Sequence, residues 1–358
     1  MGTQYYIGLM SGTSLDGVDG ALIAINDDAS INVIAAMTED YADVERDALR
    51  SCLGLKTDPD GRVKFAEEMM TDVHTKVVKK LLAMARLTPK DIKLVGFHGQ
   101  TIYHDPAARF TWQIGDGGRL ARATGINVIN DFRSADVAAG GQGAPLLPLY
   151  HRALALPLEK PVAIVNIGGV SNITYIDTND ILAFDTGPGN ALMNDWVKAR
   201  TGAEYDKDGL IAGKGKADAA VLQAYLAHQY FSQLPPKSLD RDQWTTAGVQ
   251  HLSLADATAT LAAFTIQSIV KALDHLPQPP KAWYITGGGR HNKTLMQGLR
   301  DALGVPVEPV EALGWNGDSM EAEGFAYLGA LADSGKPISL PTTTGVPQPM
   351  TGGRKWSP

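Results

Sequence analysis

Three glycine-rich turns of the sequence combine an adaptable backbone with polar side chains. They read Ser11-Gly12-Thr13-Ser14-Leu15-Asp16-Gly17, Gly168-Gly169-Val170-Ser171-Asn172 and Thr286-Gly287-Gly288-Gly289-Arg290-His291-Asn292. Glycine permits positive φ angles and close approach to the backbone, and exposed amides in such turns form concave anion sites. The hydroxyls of Thr13, Ser14 and Ser171 can donate hydrogen bonds to phosphate oxygens. Each turn alone is equally typical of an ordinary connection, but the three together favour phosphate binding.

Other polar side chains follow predicted strands, where ligand groups collect in α/β proteins. Asp185 comes directly after a strand at 181–184, and His98 comes after a strand at 92–97. Arg133 has the planar, permanently charged group that suits recognition of a carboxylate. Alternative interpretations stay open at this point: Asp185 caps a helix at 189–201, His98 is structural, and Arg133 forms a salt bridge with Asp131 or Asp136.

The elements that must position these residues alternate between strands and helices, which indicates an α/β fold. Strands are predicted at 5–9, 18–25, 31–37, 92–97, 110–114, 127–130, 162–166, 173–176, 181–184 and 283–286, and helices at 43–53, 62–86, 116–124, 189–201, 216–229, 254–274, 291–303 and 319–333. Residues 134–150 are rich in glycine, alanine and proline and are predicted to be a loop. Each half opens with a strand, a glycine-rich turn and a second strand.

Composition limits the class of protein. The 358 residues predict two domains, and the net charge of −7 argues against binding to nucleic acid or to an anionic membrane. The single cysteine, Cys52, is predicted to be a small buried residue in a reducing compartment. No secretion signal or apolar run of about 20 residues is apparent, so we expect a cytoplasmic protein without a membrane span.

Two common nucleotide motifs are missing from the sequence. It contains no G-x-x-x-x-G-K-[ST], which argues against a P-loop protein, and no convincing G-x-G-x-x-G at a strand-to-helix junction, which argues against a dinucleotide oxidoreductase. Hairpin turns in both halves plus a triple-glycine turn resemble the two-domain actin, hexokinase and Hsp70 ATPase architecture, with its ribonuclease H-like fold. That resemblance implies a nucleotide in the cleft between a domain at 1–131 plus 319–358 and a domain at 132–318.

A more specific resemblance begins at residues 8–19, GLMSGTSLDGVD. It continues in order through GFHGQT (96–101), QIGD (113–116), NDFRSAD (130–136), GGQGAPLLP (140–148), NIGGVSNIT (166–174), DTGPGN (185–190), TGGGRHN (286–292), EAEGFAYL (321–328) and PTTTG (341–345). These motifs resemble the anhydro-N-acetylmuramic acid kinase family over nearly the whole chain. The resemblance implies ATP- and Mg²⁺-dependent conversion of the anhydro sugar into N-acetylmuramate 6-phosphate during cell-wall recycling, and it suggests a homodimer.

The resemblance also implies roles for individual residues. Asp185 would be the catalytic base; Gly12, Thr13, Ser14, Leu15, Asp16, Gly17, Val18 and Asp19 the first ATP loop; Gly168, Gly169 and Ser171 the second; Gly287, Gly288, Gly289 and Asn292 the adenosine side; and His98, Thr101, Arg133 and Glu323 the sugar site. Met10 and Asn166 stand where many related kinases have an acidic residue. We therefore expect no direct carboxylate bond to Mg²⁺ from those positions, and Asp16 or Asp19 would act through waters.

The substrate explains why one carboxylate would serve two steps. In a 1,6-anhydro sugar O6 is tied to C1, so a base must take a proton from water, water must attack C1, and the departing O6 must attack the γ-phosphate. Arg133 would then bind the lactyl carboxylate of muramic acid. Two other readings remain at this stage: a kinase of the same fold for another small molecule, such as a hexose or acetate, and a noncatalytic ATP-gated chaperone or regulator.

Overall fold

The computed structural model describes residues 2–12, 14–239 and 243–358, so Thr13 of the first turn lies outside the described residues. The chain forms two compact units, Met1–Leu156 with Ser319–Pro358, and Pro157–Asp318. Within the described ranges, no helix combines the length and the apolar character needed to cross a membrane.

The secondary structure alternates along the chain as the sequence patterns indicate. The strands are β1 (Gln4–Ser11), β2 (Gly17–Ile25), β3 (Ile31–Asp40), β4 (Ile92–Asp105), β5 (Phe110–Ile114), β6 (Val128–Asn130), β7 (Val162–Ile167), β8 (Val170–Ile176), β9 (Ile181–Pro188), β10 (Ala282–Thr286), β11 (Val307–Pro309) and β12 (Arg354–Trp356). The helices are α1 (Asp43–Arg50), α2 (Arg62–Ala85), α3 (Gly117–Thr124), α4 (Ser134–Ala138), α5 (Pro148–Leu154), α6 (Ala191–Thr201), α7 (Ala219–Leu226), α8 (Leu254–Val270), α9 (Lys293–Leu303) and α10 (Met320–Asp333).

The sheets of the two units share one topology. In the first unit β1, β2 and β3 form an antiparallel meander, β4 pairs parallel to β1, and β6 pairs parallel to β4. In the second unit β7, β8 and β9 form the meander, β10 pairs parallel to β7, and β11 pairs parallel to β10. The predicted α/β class, with two units of ribonuclease H-like, actin-like topology, is confirmed.

Residues 132–156 belong to the first unit, whereas the sequence-based boundary assigned them to the second. The predicted loop at 134–150 contains α4 and the start of α5. Phe132 is buried in one cluster with Phe325 of α10, and Tyr150 of α5 donates a hydrogen bond to Glu323 of the same helix. These contacts hold the segment against α10, and the first unit extends to Leu156 for that reason.

Glycines let α10 lie directly on the first sheet. A Cβ atom at Gly8 of β1 would lie 1.8 Å from the carbonyl oxygen of Ala322, and one at Gly96 of β4 would lie 2.0 Å from that of Phe325. No side chain fits at either position unless the helix moves away. The two glycines therefore fix the distance between α10 and the strands that lead into the first glycine-rich turn and to His98.

We predict that Gly8→Ala destabilises the first unit by about 3 kcal/mol, since overpacking against backbone atoms cannot be relieved by a side-chain rotation. Urea unfolding followed by circular dichroism measures the effect. Gly2→Ala is the matched control, because a Cβ atom there meets none of the described residues within 4 Å. Equal midpoints for the two variants would contradict the packing argument.

Candidate active site

The first glycine-rich turn connects β1 to β2, and hydrogen bonds from polar side chains stabilise it. The hydroxyl of Ser11 lies 2.9 Å from the hydroxyl of Tyr41 and donates to Gln100 Oε1 at 2.7 Å. Arg46 donates from Nε to the carbonyl oxygen of Leu15 at 3.0 Å. Leu15 has a φ of 57°, so this contact supports a left-handed backbone conformation that leucine rarely adopts.

The predicted nucleotide residues of this turn divide into two groups. Leu15, Gly17 and Val18 are buried, and they pack the base of the hairpin. The accessible group consists of Gly12, Ser14, Asp16 and Asp19, and a Cβ atom at Gly12 would lie 3.6 Å from the Ser14 hydroxyl. Ser14 donates to Asp16 Oδ1 at 2.7 Å, and Thr38 donates to Asp19 Oδ1 at 2.6 Å. The accessible group is the part that can face a ligand.

The second and third turns lie together in the second unit. The second turn joins β7 to β8, and the third follows β10, which pairs with β7 so that Thr286 is opposite Asn166. A Cβ atom at Gly287 would lie 2.2 Å from Asn166 Oδ1, and one at Gly289 would lie 2.4 Å from Ile167 Cγ2. These two glycines therefore serve close packing between the turns.

Other glycines of these turns have room for a side chain. Among the described residues, a Cβ atom at Gly168, Gly169 or Gly288 would meet its nearest neighbour at 3.5 Å or more. The buried guanidinium of Arg290 braces the third turn, because it donates to the carbonyl oxygen of Gly287 and forms ion pairs with Glu311 and Asp318 at 2.8 and 2.6 Å. Gly169 and Gly288 are exposed, so an anionic ligand can approach the backbone there, whereas the amide of Gly168 donates to the carbonyl oxygen of Val170 at 3.2 Å.

Two predicted nucleotide residues of the second unit have other contacts. The Asn292 side chain accepts a hydrogen bond from the amide of Leu295 at 3.0 Å, so it caps the start of α9. The Ser171 hydroxyl is buried and has no hydrogen-bond partner among the described residues. A buried hydroxyl without a partner is costly, and a ligand oxygen at this turn would satisfy it.

Asp185 lies inside β9, at an irregularity of the strand. Ser171 pairs with Gly187 while Asn172 pairs with Asp185, so β9 carries one extra residue at this point, Thr186. Such bulges re-aim neighbouring side chains. The helix-cap alternative for Asp185 does not apply, because α6 begins at Ala191 and its cap residue is Asn190.

Three hydrogen bonds with the segment 230–239 fix Asp185. The amide of Asp185 donates to the carbonyl oxygen of Lys237 at 3.0 Å, and the Tyr230 hydroxyl donates to the carbonyl oxygen of Asp185. The amide of Leu239 donates to the carboxylate at 2.8 Å. Burial raises the pKa of Asp185 to about 7, and the hydrogen bond from Leu239 opposes this shift. A carboxyl with a pKa near neutrality is suited to exchanging protons with a substrate or water.

In the first unit, the structure brings His98 and Arg133 together. His98 lies inside β4 rather than after it, at a bulge: Leu9 pairs with Phe97 and Ser11 with Gln100, so β4 has one extra residue. Arg133 donates from Nε to His98 Nε2 at 3.1 Å and from Nη1 to the carbonyl oxygen of Gly143 at 2.6 Å. It therefore uses neither Asp131 nor Asp136 as a direct partner.

The contacts of His98 define its tautomer. Nε2 must accept the proton of Arg133, so Nδ1 carries the ring hydrogen and donates to the carbonyl oxygen of Gly99 at 2.8 Å. The ring is buried and packs on Phe325, with ring centroids 4.5 Å apart. Burial and the charge of Arg133 lower the pKa of His98 well below its usual value. His98 is therefore a neutral acceptor that orients the guanidinium.

The two remaining predicted sugar residues differ in their surroundings. Thr101 lies further along β4 and accepts a hydrogen bond from Gln113 Nε2 at 3.3 Å. Glu323 is buried, and its carboxylate accepts hydrogen bonds from Tyr150 and Ser319. Both oxygens of Glu323 are thus engaged within the protein.

Glu321 was not predicted as a site residue, but its charge interacts with two predicted site residues. It is partly buried at the start of α10; burial raises its pKa, the charge of Arg133 opposes the shift, and Asp19 adds to it. The Glu321 carboxylate therefore interacts electrostatically with both Arg133 and Asp19. The signal available in the sequence was the two-residue spacing of the acids in EAEGF, which puts them on different faces of a helix.

No group of three histidine, cysteine or acidic side chains that could hold a metal ion occurs in the part of the chain that the structure describes. The first turn itself carries two accessible carboxylates, those of Asp16 and Asp19. Oxygen donors of this kind are the ligands that Mg²⁺ prefers, and Mg²⁺ needs only one or two protein carboxylates because it keeps several waters.

Comparison with known proteins decides the family. A family model described as anhydro-N-acetylmuramic acid kinase matches residues 4–357. The chain belongs to that family. It is 51% identical over 354 residues to the anhydro-N-acetylmuramic acid kinase of Rhizorhabdus wittichii, with 97% of each chain covered. It is 49% identical to the protein of that name from Zymomonas mobilis subsp. mobilis, with 97% of this chain and 98% of that one covered.

Solved structures give a more distant likeness. Component A of (R)-2-hydroxyglutaryl-CoA dehydratase from Acidaminococcus fermentans is similar at a TM-score of 0.48 and 12% identity, over 90% of this chain and 96% of that chain.

We predict that the His98 ring stays neutral and Nδ1-protonated between about pH 5 and 8, where an ordinary histidine titrates. Two-dimensional ¹H–¹⁵N spectra of the ring nitrogens measure the tautomer directly, and the spectrum of a His98→Asn variant assigns the signal. A ring that gains a proton near pH 6.5 would contradict the contact with Arg133.

Proposed function

We propose that the protein uses ATP to open 1,6-anhydro-N-acetylmuramic acid with water and to phosphorylate O6, which gives N-acetylmuramate 6-phosphate and ADP. Membership of the family supports this assignment. The observation in the structure that supports it best is the position of Asp185, a carboxyl held by backbone groups with a pKa of about 7. A base with such a pKa suits the activation of water at neutral pH.

In the proposed reaction Asp185 takes a proton from a water molecule as the water oxygen bonds to C1. The C1–O6 bond breaks, O6 bonds to the γ-phosphorus, and the bond from that phosphorus to the β-phosphate oxygen breaks to release ADP. The proton leaves Asp185 for solvent after the products depart. The amide of Leu239 stabilises the ionised carboxylate through Oδ2, and we propose that Oδ1 accepts the proton of the water.

Arg133 is proposed to bind the lactyl carboxylate. Two of its five N–H groups are used by His98 and Gly143, and the other three have no hydrogen-bond partner among the described residues. A guanidinium in this state can hold a carboxylate through two parallel hydrogen bonds. We propose that Glu321, rather than Glu323, accepts a hydrogen bond from a sugar hydroxyl, because the Glu323 oxygens are already engaged.

The glycine-rich turns are proposed to hold ATP. The accessible backbone at Gly12 and Gly169 suits the phosphates, Gly168 gives the second turn its tight shape, and the backbone at Gly288 suits the adenosine side. The hydroxyls of Ser14 and Ser171 add donors for phosphate oxygens. Mg²⁺ would neutralise phosphate charge during transfer, with Asp16 and Asp19 in contact through waters.

The experiment that tests the function compares ADP release with four sugars: 1,6-anhydro-N-acetylmuramic acid, N-acetylmuramic acid, 1,6-anhydro-N-acetylglucosamine and glucose. We expect turnover with the anhydro muramic sugar and little with free N-acetylmuramic acid, because the latter offers no C1–O6 bond to open. Faster ADP release with glucose would indicate a hexose kinase and would overturn the assignment.

We predict that Asp185→Asn lowers kcat by about 10²–10⁴-fold, the range typical of a general base, while ATP binding is retained. Because burial raises the Asp185 pKa to about 7, the carboxyl is protonated and inactive below that pH and ionised above it. The kcat/KM of the unmodified protein should therefore rise with pH and level off above about pH 7. Near-normal turnover of the variant would exclude Asp185 as the base.

A further inference from the structure

The motifs GGQGAPLLP (140–148) and PTTTG (341–345) have no part in the proposed chemistry, yet the structure joins them through one buried carboxylate. Asp136 of α4 is 1% exposed. Its Oδ2 accepts hydrogen bonds from the hydroxyls of Ser339 and Thr344, both at 2.5 Å, and its Oδ1 accepts one from the amide of Gly143 at 2.7 Å. Hydrogen bonds to a buried carboxylate are among the strong ones in proteins.

The glycine loop, residues 140–143, is thereby held on two sides. The amide of Gln142 donates to the carbonyl oxygen of Thr344 at 2.6 Å, on the side of the carboxy-terminal segment. On the other side the loop lies directly on α4, because a Cβ atom at Gly141 would be 2.1 Å from Asp136 Oδ1 and one at Gly143 would be 2.5 Å from Val137 Cγ2. Gly143 also has a φ of 69°, which favours glycine.

The carbonyl group of Gly143 connects this loop to the proposed sugar site. The carbonyl oxygen of Gly143, whose amide is bound to Asp136, accepts the 2.6 Å hydrogen bond from Arg133 Nη1. The second fixed contact of Arg133 is His98. Two fixed acceptors define the plane of the guanidinium, and with it the direction of the three remaining N–H groups.

We propose that Asp136, with Ser339 and Thr344, is a positioning device for Arg133, so that the carboxy-terminal segment 339–344 sets the affinity for the carboxylate of the sugar. This inference rests on the proposed function of Arg133. A rotation of Gly143 would tilt the guanidinium and misalign its two hydrogen bonds to the ligand, whereas the turns that bind ATP would be unaffected.

The test is Thr344→Val, which removes one hydroxyl donor to Asp136 at nearly constant volume. We expect the KM for 1,6-anhydro-N-acetylmuramic acid to rise about tenfold, the lower end for a hydrogen bond to a charged group, while kcat and the KM for ATP stay within about twofold. The KM for 1,6-anhydro-N-acetylglucosamine, which lacks the lactyl carboxylate, should not change. Thr344→Ser keeps the hydroxyl and should restore the original KM.

Thr343→Val is the matched control in the same segment. Thr343 is also buried, but its hydroxyl bonds to the backbone of Leu340 and not to Asp136. We expect it to leave the KM for both sugars unchanged. If Thr344→Val does not fold, Ser339→Ala removes the other hydroxyl donor to Asp136 and carries the same expectation.

A double-mutant cycle distinguishes an effect on the orientation of Arg133 from a general disturbance of the structure. Arg133→Ala alone should raise the KM for the muramic sugar about ten- to a hundredfold, and Thr344→Val should add nothing in that background. The proposal would be overturned if Thr344→Val raised the KM further in the Arg133→Ala background, or if Thr343→Val raised the KM as much as Thr344→Val does. A direct readout does not depend on catalysis: Thr344→Val should shift the His98 Nε2 signal as its contact with Arg133 changes.

The two proposals fail in distinguishable ways. If the unmodified protein does not phosphorylate the muramic sugar, the proposed function is wrong, and the His98 signal alone then decides whether Asp136 positions Arg133. If the sugar is phosphorylated but neither the His98 signal nor the KM responds to Thr344→Val or Ser339→Ala, the positioning role is wrong and the function stands.

Discussion

Desolvation of the Asp185 carboxyl opposes its ionisation, and the amide of Leu239 partly offsets that cost. If burial dominated without any hydrogen bond, the carboxyl would stay protonated and could not accept a proton; with many donors it would be a weak base. The balance in this site gives a pKa near neutrality. The segment 230–239 maintains it with backbone groups and the Tyr230 hydroxyl, so the geometry does not depend on flexible side chains.

Asp185, the proposed base, and His98, which orients Arg133, both lie at strand irregularities rather than at strand ends. His98 and Asp185 each sit beside a one-residue bulge in β4 and β9, in the units that carry the first and second glycine-rich turns. A bulge interrupts the alternation of side chains across a sheet, so a residue whose neighbours pack in the core can turn toward a ligand. Arg133 is oriented less directly. The buried carboxylate of Asp136 holds the loop 140–143, and the carbonyl oxygen of Gly143 in that loop accepts a hydrogen bond from the guanidinium.

The sequence predicted most of this architecture because strand–turn–strand patterns and amphipathic helices are local. The β1–β2 and β7–β8 hairpins and the helix at α9 follow directly from those patterns. The continuation of β4 to Asp105 was missed, because His98-Gly99-Gln100 looks like a turn and only pairing with β1 and β5 makes it a strand. Phe65 lies at a spacing of eight from the buried Val73 of α2, yet it is 61% exposed, because the core-facing residues at the start of the helix are Val63 and Ala66.

The sequence predicted which residue types form the site, but it did not predict several of their contacts. Asp185, His98 and Arg133 stood out by type and position, whereas Glu321 and Glu323 could be told apart only when Tyr150 and Ser319 were seen to engage Glu323. The role of Asp136 depends on residues more than 200 positions away, Ser339 and Thr344. Sequence spacing does not reveal contacts over such separations.

The most direct test of the account is to run the reaction in H₂¹⁸O and analyse the product before the anomers interconvert. If Asp185 activates water against C1, the ¹⁸O label lies on C1 and not in the phosphate. Since the anhydro bridge is β and the attack comes from the opposite face, the first-formed product is the α anomer. Label in the phosphate, or a β anomer formed first, would contradict the proposed attack of water on C1.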